Sequence, residues 1–393
     1  MSTAIAFLSG KGGSGKTTLA LSMADLLCRC GVQTLLVDCD LSTNGATYFY
    51  ESQLVAQSSN NQSNVSAFND LLNMESFPIK PIPLKVGSKL DFIPSISNIS
   101  SQLLGKSEMW SSNGPKIQLD RFLQWARQSY DVILFDCQAG YTELLPVLLP
   151  LMDVDLFVLE ADSISASAMR NLHLKIGTSF GSARLYQIFN KATPEEFDIY
   201  SKIVGTFFIN IGTLLFDWKI RQAFSRSQTP DLENTSAKFG SDLCNICKII
   251  FADRAIQGRL EQFLTHLHYQ QLEEARNQTA DKLHNLYNLS TKSHRFQKSF
   301  LLMTYALIII AGIFLLIQSD FLGENSLYWK TSSTMLPIIA VLLSTLLGVI
   351  TAFYVTETFQ ETRKERQNYE RKLKDIDKEL EKLDRLQQRN AND

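Results

Sequence analysis

The chain has 393 residues, enough for one large domain with additional segments or for two domains. Its 38 basic and 40 acidic residues give a formal net charge of −2, which argues against a globally basic nucleic-acid-binding protein. Apolar residues make up 45% of the chain, as in ordinary globular proteins, and the N-terminus lacks the basic segment of a signal peptide.

The N-terminal segment predicts a βαβ unit. Residues 4–8 form a short apolar run that ends in a glycine-rich loop, which indicates a buried parallel strand. Residues 18–30 carry apolar side chains at helical spacing and stop at Gly31, and residues 34–38 form a second apolar strand. Strand, helix and strand in so short a segment imply a right-handed crossover and parallel pairing.

The alternation of strands and helices continues to about residue 250. Polar composition predicts loops at 51–66 and 105–116, and apolar spacing predicts a helix at 119–127. Further strands are predicted at 90–94, 131–136, 155–160, 184–190 and 203–209. The predicted fold class is therefore α/β, with a doubly wound, mainly parallel sheet in a first domain at 1–250.

The rest of the chain is predicted to be helical. Residues 251–298 mix apolar and polar residues without proline, which predicts a helical neck. Residues 300–318 and 335–355 carry no charge and are long enough to cross a bilayer, which predicts two transmembrane helices in a hairpin at 299–356. Basic residues flank the two spans, so we expect an inner (cytoplasmic) membrane protein with both ends in the cytoplasm.

The last segment, 357–393, is predicted to be a charged helix. Its apolar residues follow heptad spacing, at Tyr369, Leu373, Ile376, Leu380 and Leu383. This pattern is compatible with a short coiled coil that adds a contact between two tails, and with a solvated single helix. The six cysteines are not expected to form a disulfide framework, and Cys244 and Cys247 have no further pair at zinc-ligand spacing.

Residues 10–18 match the P-loop pattern, and they follow a predicted strand and open a predicted helix. The predicted nucleotide-binding residues are Gly10, Lys11, Gly12, Gly13, Ser14, Gly15, Lys16, Thr17 and Thr18. Glycine lets backbone N–H groups close around phosphate oxygens, and the helix directs its positive end toward them. Lys16 is expected to reach the β and γ oxygens, and the Thr17 hydroxyl to bind Mg²⁺, so ATP and Mg²⁺ are the predicted cofactors.

Carboxylates stand at the ends of two further predicted strands. Asp136 follows the apolar run 132–135 in a Walker B arrangement, where it would hold the hydration shell of Mg²⁺. Asp38 and Asp40 follow the second strand, at the edge where open α/β sheets bind ligands. Thr17 and Asp136 are therefore predicted to bind the metal ion.

Lys11, directly after the first glycine, makes the loop resemble the deviant Walker A signature of ParA/MinD ATPases. The resemblance covers about residues 1–250. It implies that Lys11 crosses a dimer interface to the phosphates of the partner, so Lys11, Lys16 and Asp40 are the predicted catalytic residues.

The same resemblance implies that residues 37–45 form switch I, that residues 137–140 form switch II, and that the strand ends have specific roles. Asp40 would position the attacking water, Asp38 would support Mg²⁺ through water, and Asn190 would contact adenine. Gln138 departs from the proline that many relatives carry in switch II, which leaves the geometry of that switch open.

The predicted function is a membrane-anchored ATPase that forms an ATP-dependent homodimer. It would act as a nucleotide switch that organises an unidentified protein partner at the lipid bilayer. One alternative is a tyrosine kinase of polysaccharide export, although there the hairpin precedes the kinase. A second alternative is a DNA-partitioning ATPase, for which Lys219, Arg221 and Arg226 offer only a small basic patch. A component of a multi-gene defence or secretion assembly is compatible with the leading prediction.

Overall fold

The computed structural model describes residues 2–59, 66–72, 79–84, 89–96, 114–177, 179–193, 195–196, 208–234, 236–321, 342, 345–346, 348–349 and 360–385. The chain divides into two units, Met1–Leu267 and His268–Asp393.

The first unit is built on one sheet and the helices that connect its strands. The strands are β1 (Thr3–Leu8), β2 (Thr34–Cys39), β3 (Ile82–Pro83), β4 (Leu90–Ile93), β5 (Val132–Cys137), β6 (Val154–Glu160), β7 (Arg184–Asn190) and β8 (Ile209–Leu214). The helices are α1 (Lys16–Arg29), α2 (Gly45–Phe49), α3 (Glu51–Ser59), α4 (Phe68–Leu71), α5 (Gly114–Ser129), α6 (Leu145–Leu148), α7 (Ser163–Ile176), α8 (Trp218–Ser225), α9 (Ala237–Ile250) and α10 (Arg254–Phe321), with a 3₁₀ turn at Leu149–Leu151.

The strand order is β3-β4-β2-β5-β1-β6-β7-β8. The described strand pairs are parallel except β3–β4, which confirms the predicted parallel α/β sheet. The register aligns the carboxyl ends of neighbouring strands, with Asp38 opposite Asp136 and Glu160 opposite Asn190. One edge of the sheet therefore gathers the loops that carry the polar motifs.

Both faces of the sheet are buried, which explains why its central strands are nearly continuous apolar runs. Ile5 and Phe7 of β1 join a core with helices α1 and α9 on one face. Ala4, Ala6 and Leu8 of the same strand join a second core with α5 and α7 on the other face. Each fully buried large apolar side chain contributes about 1.5–3 kcal/mol to the stability of the fold. The two cores therefore hold the sheet in place, and with it the edge that carries the site.

The structure corrects two of the predicted elements in this unit. Residues 51–59 form α3 rather than a loop, because a helix of mostly polar residues has no apolar periodicity to reveal it. The described strand nearest to the one predicted at 203–209 is β8 at Ile209–Leu214, an edge strand that shares only Ile209 with the prediction and whose first two residues are exposed. Residues 203–207 and most of the loop predicted at 105–116 lie outside the described residues.

The largest correction concerns the transmembrane hairpin. A helix that crosses a bilayer needs about 20 consecutive apolar residues. Within the part of the chain that the structure describes, no helix has both the length and the apolar character for this, so the two predicted transmembrane helices are contradicted. The predicted location as a multi-pass inner-membrane protein is contradicted with them. The apolar segment 300–318 belongs to α10, which starts at Arg254 and is rich in charge over its first half, and most of 335–355 lies outside the described residues.

The second unit contains the later part of α10 and a helix at 360–385, here called α11. Arg276 Nε donates to Asp377 Oδ1 at 2.6 Å, and Tyr287 Oη donates to Glu370 Oε1 at 3.1 Å. Arg366 stacks over the Tyr287 ring at 4.7 Å. The residue numbers of these contacts rise along α10 as they fall along α11, so the two helices pair in antiparallel orientation. The charged tail helix thus has a helical partner in its own chain.

This pairing predicts how the helical unit unfolds. We expect the melting temperature of the nucleotide-free protein, followed by far-ultraviolet circular dichroism, to stay constant over a roughly hundredfold range of protein concentration. An intermolecular coil would melt at higher temperature as the concentration rises. A steady rise of the melting temperature with concentration would therefore contradict the intrachain pairing.

Candidate functional site

The loop between β1 and α1 has the backbone geometry of a phosphate cradle. Gly15 has a left-handed φ of 87° and precedes the first residue of α1, so the helix N-terminus opens directly onto the loop. Gly10 lies against α7, where an added Cβ would come within 2.4 Å of the Ala168 carbonyl carbon. Glycine is required at these two places, and the arrangement presents backbone N–H groups and the positive helix end to an anion.

Lys16 and Asp136 form a buried charge pair beneath this loop. Lys16 Nζ lies 3.7 Å from Asp136 Oδ1, and the two side chains are 7% and 0% exposed. The distance is beyond a hydrogen bond, so the ammonium group keeps its donors available for phosphate oxygens. Burial raises the pKa of Asp136, and the nearby Lys16 charge opposes that rise.

The carboxylate of Asp136 fits the predicted magnesium site. Neither of its oxygens has a hydrogen-bond partner among the described residues, although both are buried. A buried carboxylate without hydrogen-bond partners is costly unless cations offset its charge. Thr17 lines the adjoining cavity, and hydroxyl and carboxylate oxygens are the ligands that Mg²⁺ prefers. Thr17 and Asp136 would hold the ion, and Asp38 lies opposite Asp136 on the neighbouring strand.

Both carboxylate oxygens of Asp38 accept hydrogen bonds at the start of switch I. Its Oδ1 accepts from the Asp40 N–H at 3.0 Å, and its Oδ2 accepts from the Thr47 N–H and hydroxyl at 2.8 and 2.7 Å. The Thr47 hydroxyl is itself held by the Ser95 N–H at 2.9 Å. Burial and the charge of Asp136 raise the pKa of Asp38 to about 7, against the lowering effect of the Thr47 hydrogen bonds. A divalent cation beside the pair would favour the ionised form.

Asp40 closes a turn of its own chain. Its Oδ1 accepts from the Ser42 N–H, the Ser42 hydroxyl and the Thr43 N–H at 3.1, 2.8 and 2.9 Å, and its Oδ2 accepts from the Thr43 hydroxyl. Burial alone would raise the pKa of Asp40, but the hydrogen bonds from Thr43 and Ser42 outweigh it and lower that pKa. The carboxylate is therefore ionised and oriented at the rim of the cavity.

Asn190 ends β7 and supports the phosphate loop. Its Nδ2 donates to the Ser14 carbonyl at 2.9 Å, and a Cβ on Gly15 would lie 2.2 Å from the same nitrogen. The adenine contact predicted for Asn190 stays a prediction. In this structure the Asn190 side chain, at the end of β7, holds the phosphate loop through its hydrogen bond to Ser14.

Lys11 is held by two carboxylates of its own chain. Its Nζ lies 2.8 Å from Glu160 Oε2 at the end of β6 and 2.9 Å from Asp162 Oδ2 just before α7. Hydrogen bonds to Asp162 and Glu160 raise the pKa of Lys11. The lysine is therefore charged, and it is 27% exposed at the mouth of the site.

A second lysine, Lys191, lies on the other side of Glu160. Its Nζ is 2.8 Å from Glu160 Oε1 and also donates to the Gly13 carbonyl oxygen. Lys191 has a left-handed φ of 59°, which is uncommon for a residue with a side chain. Glu160 thus contacts Lys11 through one oxygen and Lys191 through the other.

The loop opens into a cavity of about 790 Å³. Lys11–Thr18, Asp40 and Asn190 line one part of it, so the structure brings these predicted residues together, while Asp38 and Asp136 lie buried beneath. The other part is lined by the segment after β8 and by α8 and α9, with the apolar Leu215, Phe216, Ile220, Phe224 and Phe239 beside Asp217 and Arg221. A polar phosphate end and a largely apolar end suit a nucleotide in extended form.

The sequence prediction omitted Glu160, Asp162, Lys191 and this apolar wall. The signal for Glu160 was present, because an acidic residue ends β6 just as Asp136 ends the apolar run of β5. The wall residues of α8 and α9 are far from the P-loop in sequence and have no motif of their own.

Comparisons with known proteins support this assignment of the fold. Residues 2–178 match the family model described as an AAA domain, which is less than half of the chain. An uncharacterized protein of Methanocaldococcus jannaschii is 26% identical over 132 residues, or 34% of this chain and 49% of that protein. The chain therefore spans about half the length of this curated relative.

Two solved structures resemble the chain over its first unit. A putative plasmid partition protein of Borrelia burgdorferi, bound to AMPPNP, has a TM-score of 0.51 and 20% identity, covering 64% of this chain and 98% of that one. Apo McdA of Cyanothece has a TM-score of 0.51 and 17% identity, covering 64% of this chain and 100% of that one. The chain therefore shares the fold of these two proteins, a P-loop fold on a mainly parallel sheet. At these identities the likeness establishes the fold alone.

Lys16 in this P-loop ATPase fold gives the first test of the site. We expect Lys16→Ala to weaken ATP binding by roughly 10- to 100-fold or more, because it removes charged hydrogen bonds to the phosphates. Titration with a fluorescent ATP analogue measures the affinity. Lys238→Ala is a matched control, since Lys238 is an exposed lysine paired with Asp242 on α9. Equal affinities of Lys16→Ala and the parent would contradict the site.

Asn190 gives a second test, which separates loop support from base contact. We expect Asn190→Ala to weaken binding of ATP and of inorganic triphosphate by the same factor, roughly two- to tenfold, because one hydrogen bond to the loop is lost. Competition against a fluorescent nucleotide measures both affinities. A loss confined to ATP would instead support the predicted adenine contact.

Proposed function

We propose that the chain is a slow, Mg²⁺-dependent ATPase that forms a homodimer when ATP is bound and acts as a nucleotide switch for a protein partner. The observation that carries this proposal is the phosphate loop with one lysine beneath it and a second lysine at its mouth. Lys16 lies over the buried Asp136, and Lys11 lies on the rim, 27% exposed.

The chain's own groups supply most of what hydrolysis requires. The loop N–H groups and Lys16 bind the triphosphate, and Thr17 and Asp136 would hold Mg²⁺, which neutralises charge that develops on the phosphate oxygens. Asp40 has a lowered pKa and is therefore a weak base. Its role in this proposal is to orient the attacking water by accepting a hydrogen bond.

Asp40 must also change its contacts to take this role. Both of its oxygens accept hydrogen bonds from Ser42 or Thr43 in the present arrangement. A water molecule positioned by Asp40 would replace or share these donors. Hydrolysis would then be coupled to the conformation of switch I, and the turnover would be slow because a rearrangement precedes it.

Dimerisation follows from the position of Lys11. Its ammonium group lies outside the loop, held by Glu160 and Asp162 rather than by the phosphate-binding backbone. A γ-phosphate in a facing protomer would offer it a site of higher negative charge. Loss of that phosphate on hydrolysis would release the contact and open the dimer, and a partner protein that binds one state would shift this equilibrium.

The test uses Asp40 and Lys11 together. We expect Asp40→Ala to keep ATP bound, to stop turnover and to accumulate a dimer with Mg²⁺ and ATP but not with ADP. Adding Lys11→Ala should return this protein to the monomer while ATP still binds. Light scattering after size exclusion measures the mass, and phosphate release measures the turnover.

Asp40→Asn is the matched control for the turn, because an amide oxygen retains part of the hydrogen bonding to Ser42 and Thr43. We expect it to fold like the parent and to turn over more slowly. A mass that is the same with ATP, ADP and no nucleotide in all variants would refute the switch. Parental phosphate release by Asp40→Ala would refute the assigned role of Asp40.

A further inference from the structure

Gln138 is the polar residue of switch II that lies at the nucleotide cavity. It stands two residues after Asp136, and it lines the cavity together with Ala139. Its side chain is partly buried, and its carboxamide forms no hydrogen bond with any other residue that the structure describes. A carboxamide has an acceptor oxygen and two N–H donors, so these groups are available for a hydrogen bond to a ligand.

The backbone on both sides of Gln138 is held in place. On one side the last residues of β2 and β5 pair in register, so Asp40 and Gln138 each follow directly after a paired strand end. On the other side the Gly140 N–H donates to the Ser9 carbonyl at 2.8 Å. Asp40 and Gln138 both line the cavity. The sheet therefore brings a carboxylate and a carboxamide from adjacent strand ends to one cavity.

The attacking water of a hydrolysis reaction needs more than one acceptor. A water molecule that directs a lone pair at the γ-phosphorus points both of its O–H bonds away from it, and an acceptor for each O–H fixes that orientation. Asp40 supplies one acceptor, but its two oxygens already accept four hydrogen bonds from Ser42 and Thr43. A carboxamide oxygen suits the second place, because it stays neutral beside a phosphate, and glutamine orients the attacking water in other P-loop NTPases.

We propose that Gln138 is a catalytic residue that accepts one hydrogen bond from the attacking water through Oε1, while Asp40 accepts the other. The two groups together align the water with the γ-phosphorus. The inference rests on the proposed function, because it adds a group to the same reaction.

The reaction balances without a strong base. The bond between the water oxygen and the γ-phosphorus forms as the bond from that phosphorus to the bridging β–γ oxygen breaks, which gives ADP and inorganic phosphate. The proton that the water loses passes to an oxygen of the transferred phosphoryl group. The pKa of Asp40 is lowered and a carboxamide is not a base near neutral pH, so both groups orient the water and do not deprotonate it.

Single-turnover hydrolysis tests this role. We expect Gln138→Ala and Gln138→Met each to slow Mg²⁺-dependent phosphate release by roughly 10- to 100-fold, because a hydrogen bond that aligns the water in the transition state is lost. The affinity for a fluorescent ATP analogue should change by less than about twofold, because the phosphate loop and Lys16 bind the triphosphate before the reaction.

Two comparisons separate the carboxamide from its bulk. Methionine has nearly the length of glutamine but lacks its acceptor oxygen, so equal losses in the two variants assign the effect to the hydrogen bond. Gln124→Met is the matched control, because Gln124 is an exposed glutamine of α5 that donates to Asp120 at 2.9 Å, and it should leave phosphate release unchanged.

Two further measurements exclude a merely structural role. ADP with aluminium fluoride mimics the transition state, and we expect Gln138→Met to weaken its binding by about the same factor as the rate, with the affinity for ADP alone unchanged. Light scattering after size exclusion should show that Gln138→Met still forms the dimer with Mg²⁺ and ATP, because slow hydrolysis preserves the ATP-bound state.

A double-mutant cycle with Asp40→Asn completes the test. Because both residues hold the same water, the combined variant should be slower than the slower single variant by no more than about threefold. Parental phosphate release by Gln138→Met, a rate loss without a matching loss of aluminium fluoride binding, loss of the ATP dimer, or losses that multiply in the cycle would each overturn the inference. Failure of the proposed function gives a different result: the parent itself would release no phosphate from ATP, and the inference would fall with it.

Discussion

The buried carboxylate of Asp136 is the constraint on which the site depends. It is fully buried at the end of a central strand, and neither oxygen has a hydrogen-bond partner among the described residues. An isolated ionised carboxylate in that position would be unstable, so positive charge must be supplied nearby. Lys16 supplies part of it at 3.7 Å, and a divalent cation bound with nucleotide phosphates would supply more. The first unit thus holds a buried negative charge that a bound cation would balance.

The phosphate loop depends on its neighbours as much as on its own glycines. Asn190 and Lys191 at the end of β7 contact the carbonyl oxygens of Ser14 and Gly13. On the other side the Gly140 N–H donates to the Ser9 carbonyl at 2.8 Å, which ties switch II to the start of the loop. Because these contacts come from the ends of different strands, the geometry of the phosphate loop depends on the register of the whole sheet. A nucleotide that orders the loop therefore acts on several elements at once.

The sequence predicted best those features that depend on residues close together in the chain. Strands β1, β2, β5, β6 and β7 are mostly apolar because the sheet is buried on both faces, so their positions could be predicted closely. The P-loop could be predicted because the residues that surround a phosphate stand at fixed spacing in the sequence. Asp136 could be predicted because it directly follows an apolar run that reads as a strand. Edge strand β8 and polar helix α3 could not, because neither has a continuous apolar face.

The remaining differences concern contacts between distant segments. Glu160 and Lys191 meet because β6 and β7 pair in register, which no local pattern reveals. The heptad pattern of the tail was compatible with a helical partner and with a solvated single helix, and the structure pairs the tail with α10 of the same chain through Arg276 and Tyr287. The charge-free segments were interpreted as membrane spans on length and composition alone, and the described helices do not bear this out.

Helix α7 connects the mouth of the site to the phosphate loop. Asp162 both caps α7 and holds Lys11, so the same carboxylate contacts the lysine ammonium group and the helix N-terminus. Six residues further on, the α7 backbone at Ala168 and Met169 packs on Gly10 with no room for a side chain. A displacement of α7 would therefore press directly on the loop that binds phosphate. By reciprocity, a molecule that binds to α7 and changes the affinity of the loop for nucleotide must have its own affinity changed by the same factor when nucleotide binds.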